Sequence, residues 1–309
     1  MIRLLAWIGR YGRHCLIGGL CAGLLLPDLA EMLRPWVGHL VGLLLFVTAI
    51  RVGAGRALGA LDRLAPSIGR VVVLQIVAPL MAVAIFALAG VSQWPLALAI
   101  SLMLAAPSLT GAPNFAIMVG RDPSPGMQLL VLGTALFPVT AMPVLLILDP
   151  AGQGAVGALQ LAAGLMGAIL LAVGLGFAAR RLLPRLGAPD AQAALDGAAA
   201  LLLAVVVVGL MSAIGPLLRS DPLRLAGWLA VAFAVNLLLV AGAMAVCRRA
   251  RLRAPVATAI YAGNRNIALF LIVLPPEVAA PLMIFVGCYQ VPMYLTPVLI
   301  QHLDRHMDA

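Results

Sequence analysis

The chain has 309 residues, of which 63% are drawn from AVILMFWYC and 10% are charged, where a soluble domain carries about 25% charged residues. So few charges cannot cover a water-facing surface, which excludes a soluble enzyme or a disordered regulator and makes lipid the solvent. The formal charge of +9 comes from arginine without a single lysine, and those arginines follow loops rather than forming a patch that would grip nucleic acid.

Apolar segments fall at about 14–32, 35–52, 70–90, 93–119, 126–148, 156–179, 192–216, 224–246, 254–275 and 279–301. Each is bounded by Gly, Pro or charge, and a bilayer core takes about 20 residues of helix, so ten transmembrane helices are predicted. The first lies behind Arg3, Arg10 and Arg13, and its continuous apolar run, Cys15 to Pro27, also fits a secretory leader. No small-x-small cleavage site follows it, which favours a retained helix. In the next loop, Leu58, Leu61 and Leu64 share a helical face among arginines, predicting a short helix in the membrane interface.

Arginine placement sets the orientation. With the N-terminus inside, inner segments carry Arg3, Arg10, Arg13, Arg51, Arg56, Arg63, Arg70, Arg121, Arg180, Arg181, Arg185, Arg248, Arg249, Arg251, Arg253 and Arg305. Outer loops carry Arg34, Arg219 and Arg224, so the bias is sixteen to three and both termini are predicted to be cytoplasmic. The Ala, Gly and Arg bias fits a GC-rich bacterial genome, hence a bacterial inner membrane. Cys15, Cys21, Cys247 and Cys288 lie in or beside apolar segments without metal-type spacing and read as buried thiols.

The two halves of the chain share punctuation. Pro138 and Pro143 in FPVTAMPVLLIL are matched by Pro292 and Pro297 in QVPMYLTPVLI, 154 positions on. Asn114 in AAPSLTGAPNFAI is matched by Asn266 in TAIYAGNRNIAL, 152 positions on. A half then holds five spans, and an odd number inverts the second half in the membrane, the inverted-repeat arrangement of secondary transporters.

The polar residues inside spans cluster at the same places. PSLTGAPN (Pro107 to Asn114) and YAGNRN (Tyr261 to Asn266) predict interrupted helices, because proline removes a backbone donor and clashes with the preceding turn. Carbonyls freed there need protein, water or a ligand. Such a crossing can be a ligand site or merely two kinked helices that bond each other. Gln75, Asn236, Tyr289 and Gln290 are candidates to join it, while Thr134 and Thr140 can bond their own helix carbonyls. No carboxylate lies at mid-span, and HExxH, GxSxG and Walker motifs are absent, so no enzyme is expected and no cofactor is called for.

At this point the residues resemble the bile acid:sodium symporter family over nearly the whole chain. Pro107, Thr110 and Asn114 match the fourth-span motif, which in the family reads approximately PGGTASN. Tyr261-Ala-Gly263-Asn264-Arg265-Asn266 stands where the ninth span reads E-x-G-x-Q-N, and Gln75 ahead of Pro79 resembles the third-span glutamine. The resemblance implies an all-α fold of ten helices in two inverted five-helix repeats. Core helices 3–5 (70–149) and 8–10 (221–309) are then accompanied by panel helices 1–2 (1–69) and 6–7 (150–220), and broken helices 4 and 9 cross. Substrate, a small organic anion, is expected between core and panel, with Thr110, Asn114, Asn264, Arg265, Asn266, Tyr289 and Gln290 forming or bordering its site.

Gln75, Asn114, Tyr261 and Arg265 occupy the family's sodium-site positions, but Tyr261 replaces its glutamate, Arg265 its glutamine and Pro113 its hydroxyl. Two like charges about 4 Å apart repel by about 4 kcal/mol at an effective dielectric near 20, enough to weaken an ion site roughly a thousandfold. Sodium, proton or no coupling ion all remain open, as does the oligomeric state. A membrane receptor or scaffold that kept the fold is the alternative to a transporter. For Arg265 itself two roles follow: a fork offered to an anionic substrate's carboxylate or sulfonate, or a pin holding the crossing. Freed carbonyls, Gln75 and Asn114 are its expected acceptors, with Asn114 and Asn266 within reach of each other.

Overall fold

The computed structural model describes residues 2–59 and 64–307. Helices α1 (Ile2–Arg10) and α2 (Gly12–Leu25) lead to Pro27, where α3 (Pro27–Leu33) and, past a 3-10 turn, α4 (Val37–Gly59) begin. Next come α5 (Leu64–Val72), a π-helical stretch Val73–Val77 and α6 (Ala78–Leu88). Then follow α7 (Pro95–Ala105), α8 (Ala112–Met118), α9 (Ser124–Leu148), α10 (Gly154–Leu182), α11 (Pro189–Leu210) and α12 (Ile214–Ser220). The chain closes with α13 (Pro222–Arg249), α14 (Pro255–Gly263), a 3-10 helix Ile267–Ile272 and α15 (Pro276–Met307). Among the described residues there is no strand, only one isolated bridge pairing Ser108 with Arg265.

Seven helical rods among the described residues are long and apolar enough to cross a membrane: Pro27–Gly55, Pro66–Leu88, Ser124–Leu148, Gly154–Leu182, Pro189–Ser220, Pro222–Arg249 and Pro276–Leu303. The chain is an all-α polytopic membrane protein. Three expected spans differ from these rods. The first two were expected to divide near residues 32–35, but Pro27 divides them, because it has no N–H to extend α2 and its fixed φ suits the first position of a new helix. The apolar stretch His14–Leu25 is accordingly short. The fourth and ninth are broken, as their Pro, Gly and Asn content predicts. By contrast, Pro138 and Pro143 sit inside an unbroken α9. The interfacial helix expected from Leu58, Leu61 and Leu64 is centred on residues 60–63, outside the described residues.

The chain forms two compact units. The first comprises Met1–Gly59, Ala163–Leu225 and Ala268–Gly287. In it, α1 and α2 lie along α11 at backbone distance: a Cβ at Gly19 would stand 2.7 Å from the Ala204 carbonyl oxygen, and one at Gly197 would overlap the Leu5 carbonyl. α4 bends at Gly53 (φ 71), and the carbonyls of Ile50 and Arg51 ahead of the bend each accept a 2.7 Å bond from Arg180 Nη1. A cation at a helix C-terminal end also meets the negative pole of the dipole. Beside it, Arg51 pairs with Asp196 at 2.7 Å.

The second unit comprises Ala60–Ala162, Ala226–Ile267 and Cys288–Ala309. Its apolar centre includes Val71, Leu74, Leu129, Leu132, Tyr261 and Ala262. At its exposed rim, Asp122 accepts bonds from the Ser124 N–H (2.9 Å) and hydroxyl (2.7 Å), which start α9 and hold the carboxyl below its ordinary range.

The close approach of α1 and α11 makes a definite prediction. Gly197→Ala should lower stability by about 1–3 kcal/mol through overpacking, whereas Gly18→Ala, with open space at its Cβ position, should be neutral or slightly stabilising. Thermal unfolding of the purified protein in detergent checks both; equal melting temperatures would remove the packing argument.

Candidate functional site: a crossing of two broken helices

The crossing begins with arithmetic on helix length. α7 has 11 residues and, at 1.5 Å per residue, spans about 16 Å, half of a hydrocarbon core about 30 Å thick. α14 has 9 residues and covers about 13 Å. Both stop among buried residues, where each unpaired backbone group costs free energy.

Past the ends of the stopped helices, two segments of the chain pair antiparallel. The Leu109 N–H donates to the Asn264 carbonyl (2.8 Å), and the Asn266 N–H donates to the Pro107 carbonyl (2.8 Å), flanking the bridged pair Ser108 and Arg265. A fragment of β-ladder thus satisfies backbone groups that neither helix can reach. Backbone bonds join the two breaks. Asn266 is 7% exposed, whereas Asn114 is exposed on the first turn of α8.

The remaining carbonyls find side chains. Asn236 Nδ2 (2.8 Å) and the Tyr289 hydroxyl (3.0 Å) both donate to the Gly263 carbonyl. Asn264 Nδ2 turns back to the Ile260 carbonyl at 2.9 Å. Arg265 serves three more: Nε donates to the Ala262 carbonyl (3.1 Å), Nη1 to Ala106 (3.0 Å) and Nη2 to Leu74 (3.1 Å). Its guanidinium carbon stands 4.7 Å from the centroid of the Tyr261 ring, within cation–π range.

The Leu74 carbonyl is free for a reason written in the chain. In the π-helical stretch Val73–Val77 the bonds step back five residues, and the Ala78 N–H accordingly donates to Val73. The next donor in that register would be residue 79, which is proline and has none. Leu74 is left with an unpaired carbonyl, and Arg265 takes it.

Arg265 is 1% exposed, and among the described residues its partners are three carbonyls and a ring, with no carboxylate. The expected fork toward a substrate anion is therefore turned inward. Gln75, expected as an acceptor for the guanidinium, is engaged elsewhere: its Nε2 donates to the Gly133 carbonyl (3.2 Å) and its Oε1 accepts from Thr140 (3.0 Å). The π turn carries the Leu74 backbone, not the Gln75 side chain, to the arginine. Thr140, which also lies 3.2 Å from the Phe137 carbonyl, thus reaches beyond its own helix.

Tyr261 is 1% exposed, and its hydroxyl seats against Gly133; among the described residues that hydroxyl, Ser108 Oγ and Asn264 Oδ1 have no hydrogen-bond partner. Tyr289 and Gln290 are buried, Thr110 is half-buried and Asn114 is exposed. The expected site residues accordingly divide into a buried group, Asn264, Arg265, Asn266, Tyr289 and Gln290, and a more accessible pair on the α8 side, Thr110 and Asn114. Sequence reasoning missed the acceptor role of Leu74 and the Tyr261–Arg265 stack. Pro79, which withholds a donor from the preceding turn, and the four-residue spacing of Tyr261 and Arg265 were the available signals.

Any hard cation bound here would use oxygen ligands. Three of the crossing's carbonyl oxygens already face a guanidinium. Comparison with protein-family models gives no match, and neither does comparison with curated proteins.

The doubly bonded Gly263 carbonyl makes a double-mutant cycle informative. Tyr289→Phe and Asn236→Ala should each cost about 1 kcal/mol, because the other donor remains on the carbonyl. Together they should cost more than their sum, since the carbonyl is then orphaned. Strict additivity in thermal or denaturant unfolding would show that the two donors do not share that role.

Proposed function

We propose that the chain is a secondary transporter of small organic anions, working by alternating access in a bacterial inner membrane with both termini cytoplasmic. The observation that carries this reading is the antiparallel crossing of two helices interrupted at interior depth. Interrupted spans that meet at the midplane are the usual binding architecture of transporters built from inverted repeats. The matched prolines and asparagines support a ten-span, inverted five-plus-five arrangement, and the resemblance to bile acid:sodium symporters supports the same plan. A buried arginine without a carboxylate partner leaves net positive charge in the protein interior, which favours an anion as the transported species.

In this reading Thr110 and Asn114 are the polar groups that meet the substrate, and Arg265 acts on it through its field. Sodium is not required, because the crossing's carbonyls are already engaged by a cation. A receptor or scaffold with the same fold is the competing reading, and it predicts binding without flux.

Proteoliposomes containing the purified protein should accumulate a labelled organic anion saturably, and counterflow should be seen with the unlabelled species. Binding without uptake across a panel of carboxylates and sulfonates would favour the receptor. Asn114→Ala should cut uptake at least tenfold with a smaller loss of thermal stability; a matching loss of both would make it a structural residue. Replacing sodium by choline at constant ionic strength should leave substrate affinity within about twofold. A tenfold tightening by sodium, about 1.4 kcal/mol of coupling, would overturn the ion-independent reading.

A further inference from the structure

The guanidinium of Arg265 is held as a bound cation is held. Three carbonyl oxygens from three separate segments, Leu74, Ala106 and Ala262, converge on its three nitrogens at 3.0–3.1 Å. An aromatic face lies beside it at 4.7 Å. None of these groups belongs to a formal anion, and each carbonyl is available only because a helix is interrupted or a proline removes a donor. The cage therefore exists through the backbone path and not through the arginine side chain. Two buried oxygens close by in the chain, Ser108 Oγ and Asn264 Oδ1, have no partner and could turn toward a cation.

We propose that the crossing is a cation-binding cage for one planar monovalent cation of the guanidinium type, permanently filled by the tethered side chain of Arg265. The planar fork matches the cage because its donors diverge in one plane toward separate carbonyls, a geometry that a compact ammonium cannot reproduce. Truncating the side chain should leave the carbonyls converging on an empty space of the ligand's shape. Free guanidinium should then bind there and restore what truncation removes. The consequence for the protein's work rests on the transporter reading: the crossing is electrically complete in every cycle, so no cation need enter with the substrate.

The test is chemical rescue of Arg265→Ala, read as thermal stability in detergent or nanodiscs without substrate. The variant should melt below the wild type. Guanidinium or methylguanidinium chloride, at concentrations well below denaturing, should raise its melting temperature in a saturable way, as a ligand specific to the folded state does. Choline chloride at the same ionic strength should not, and the wild type should show no rise. A variant that recovers with neither guanidinium nor sodium, or a wild type that rises equally, overturns the cage. Recovery with sodium alone overturns its guanidinium character.

If Arg265→Ala does not fold, Arg265→Lys and Arg265→Gln decide. Stability in the order Arg, Lys, Gln upholds a site for a cation, and a glutamine variant as stable as the lysine variant overturns it. None of these readings depends on flux, so failed uptake leaves the cage standing and failed rescue leaves the uptake result standing.

Discussion

Backbone polar groups cannot be left unpaired in hydrocarbon, and that constraint organises the crossing in the second unit. Two helices stop inside the apolar interior, and a third carries a π turn ahead of a proline. Together they release a set of carbonyls that no helix can satisfy. A short antiparallel pairing takes two of them, Asn236 and Tyr289 share another, and the Arg265 guanidinium joins three more. In water such donors would contribute little beyond what solvent offers. Away from water the alternative is an orphaned carbonyl costing about 1–3 kcal/mol each, so one arginine can hold three segments together.

The same accounting explains how a buried charge is tolerated without a counter-ion. Arginine stays protonated under all ordinary conditions, and its insertion at span centre costs at least about 2.5–3.5 kcal/mol. Carbonyl dipoles at the C-terminal ends of α7 and α14 point their negative poles at it, and the Tyr261 ring offers its face. Stabilisation is spread over several partial charges, which leaves net positive charge at the crossing for other groups to feel. Arg265 joins three segments at the crossing, while Thr110 and Asn114, on the α8 side, are more accessible than the buried guanidinium.

The first unit solves a similar problem by different means. α4 must bend, Gly53 supplies the left-handed backbone, and Arg180 covers the carbonyls released at the bend. In both units arginine, with a planar array of donors, serves broken helices where a lysine could serve only as a point charge. The absence of lysine from the chain is compatible with that use but does not require it, since most arginines lie in loops.

Much of this was legible in the amino-acid sequence. Apolar content and the spacing of Gly and Pro determine a helical, multi-pass membrane chain, and local chemistry determines that helices must break within Pro107 to Asn114 and Tyr261 to Asn266. It also marks Arg265 as a charge without a carboxylate at its depth. What the chain alone did not reveal is direction. A guanidinium aimed at a substrate and one aimed at backbone carbonyls have the same sequence, because the acceptors are peptide groups that every residue carries. Which carbonyls are free depends on the π register ahead of Pro79 and on two breaks meeting across 159 residues of chain, from Ala106 to Arg265. Only the tertiary structure brings those peptide groups together, and it turns the arginine inward because the orphaned carbonyls are there.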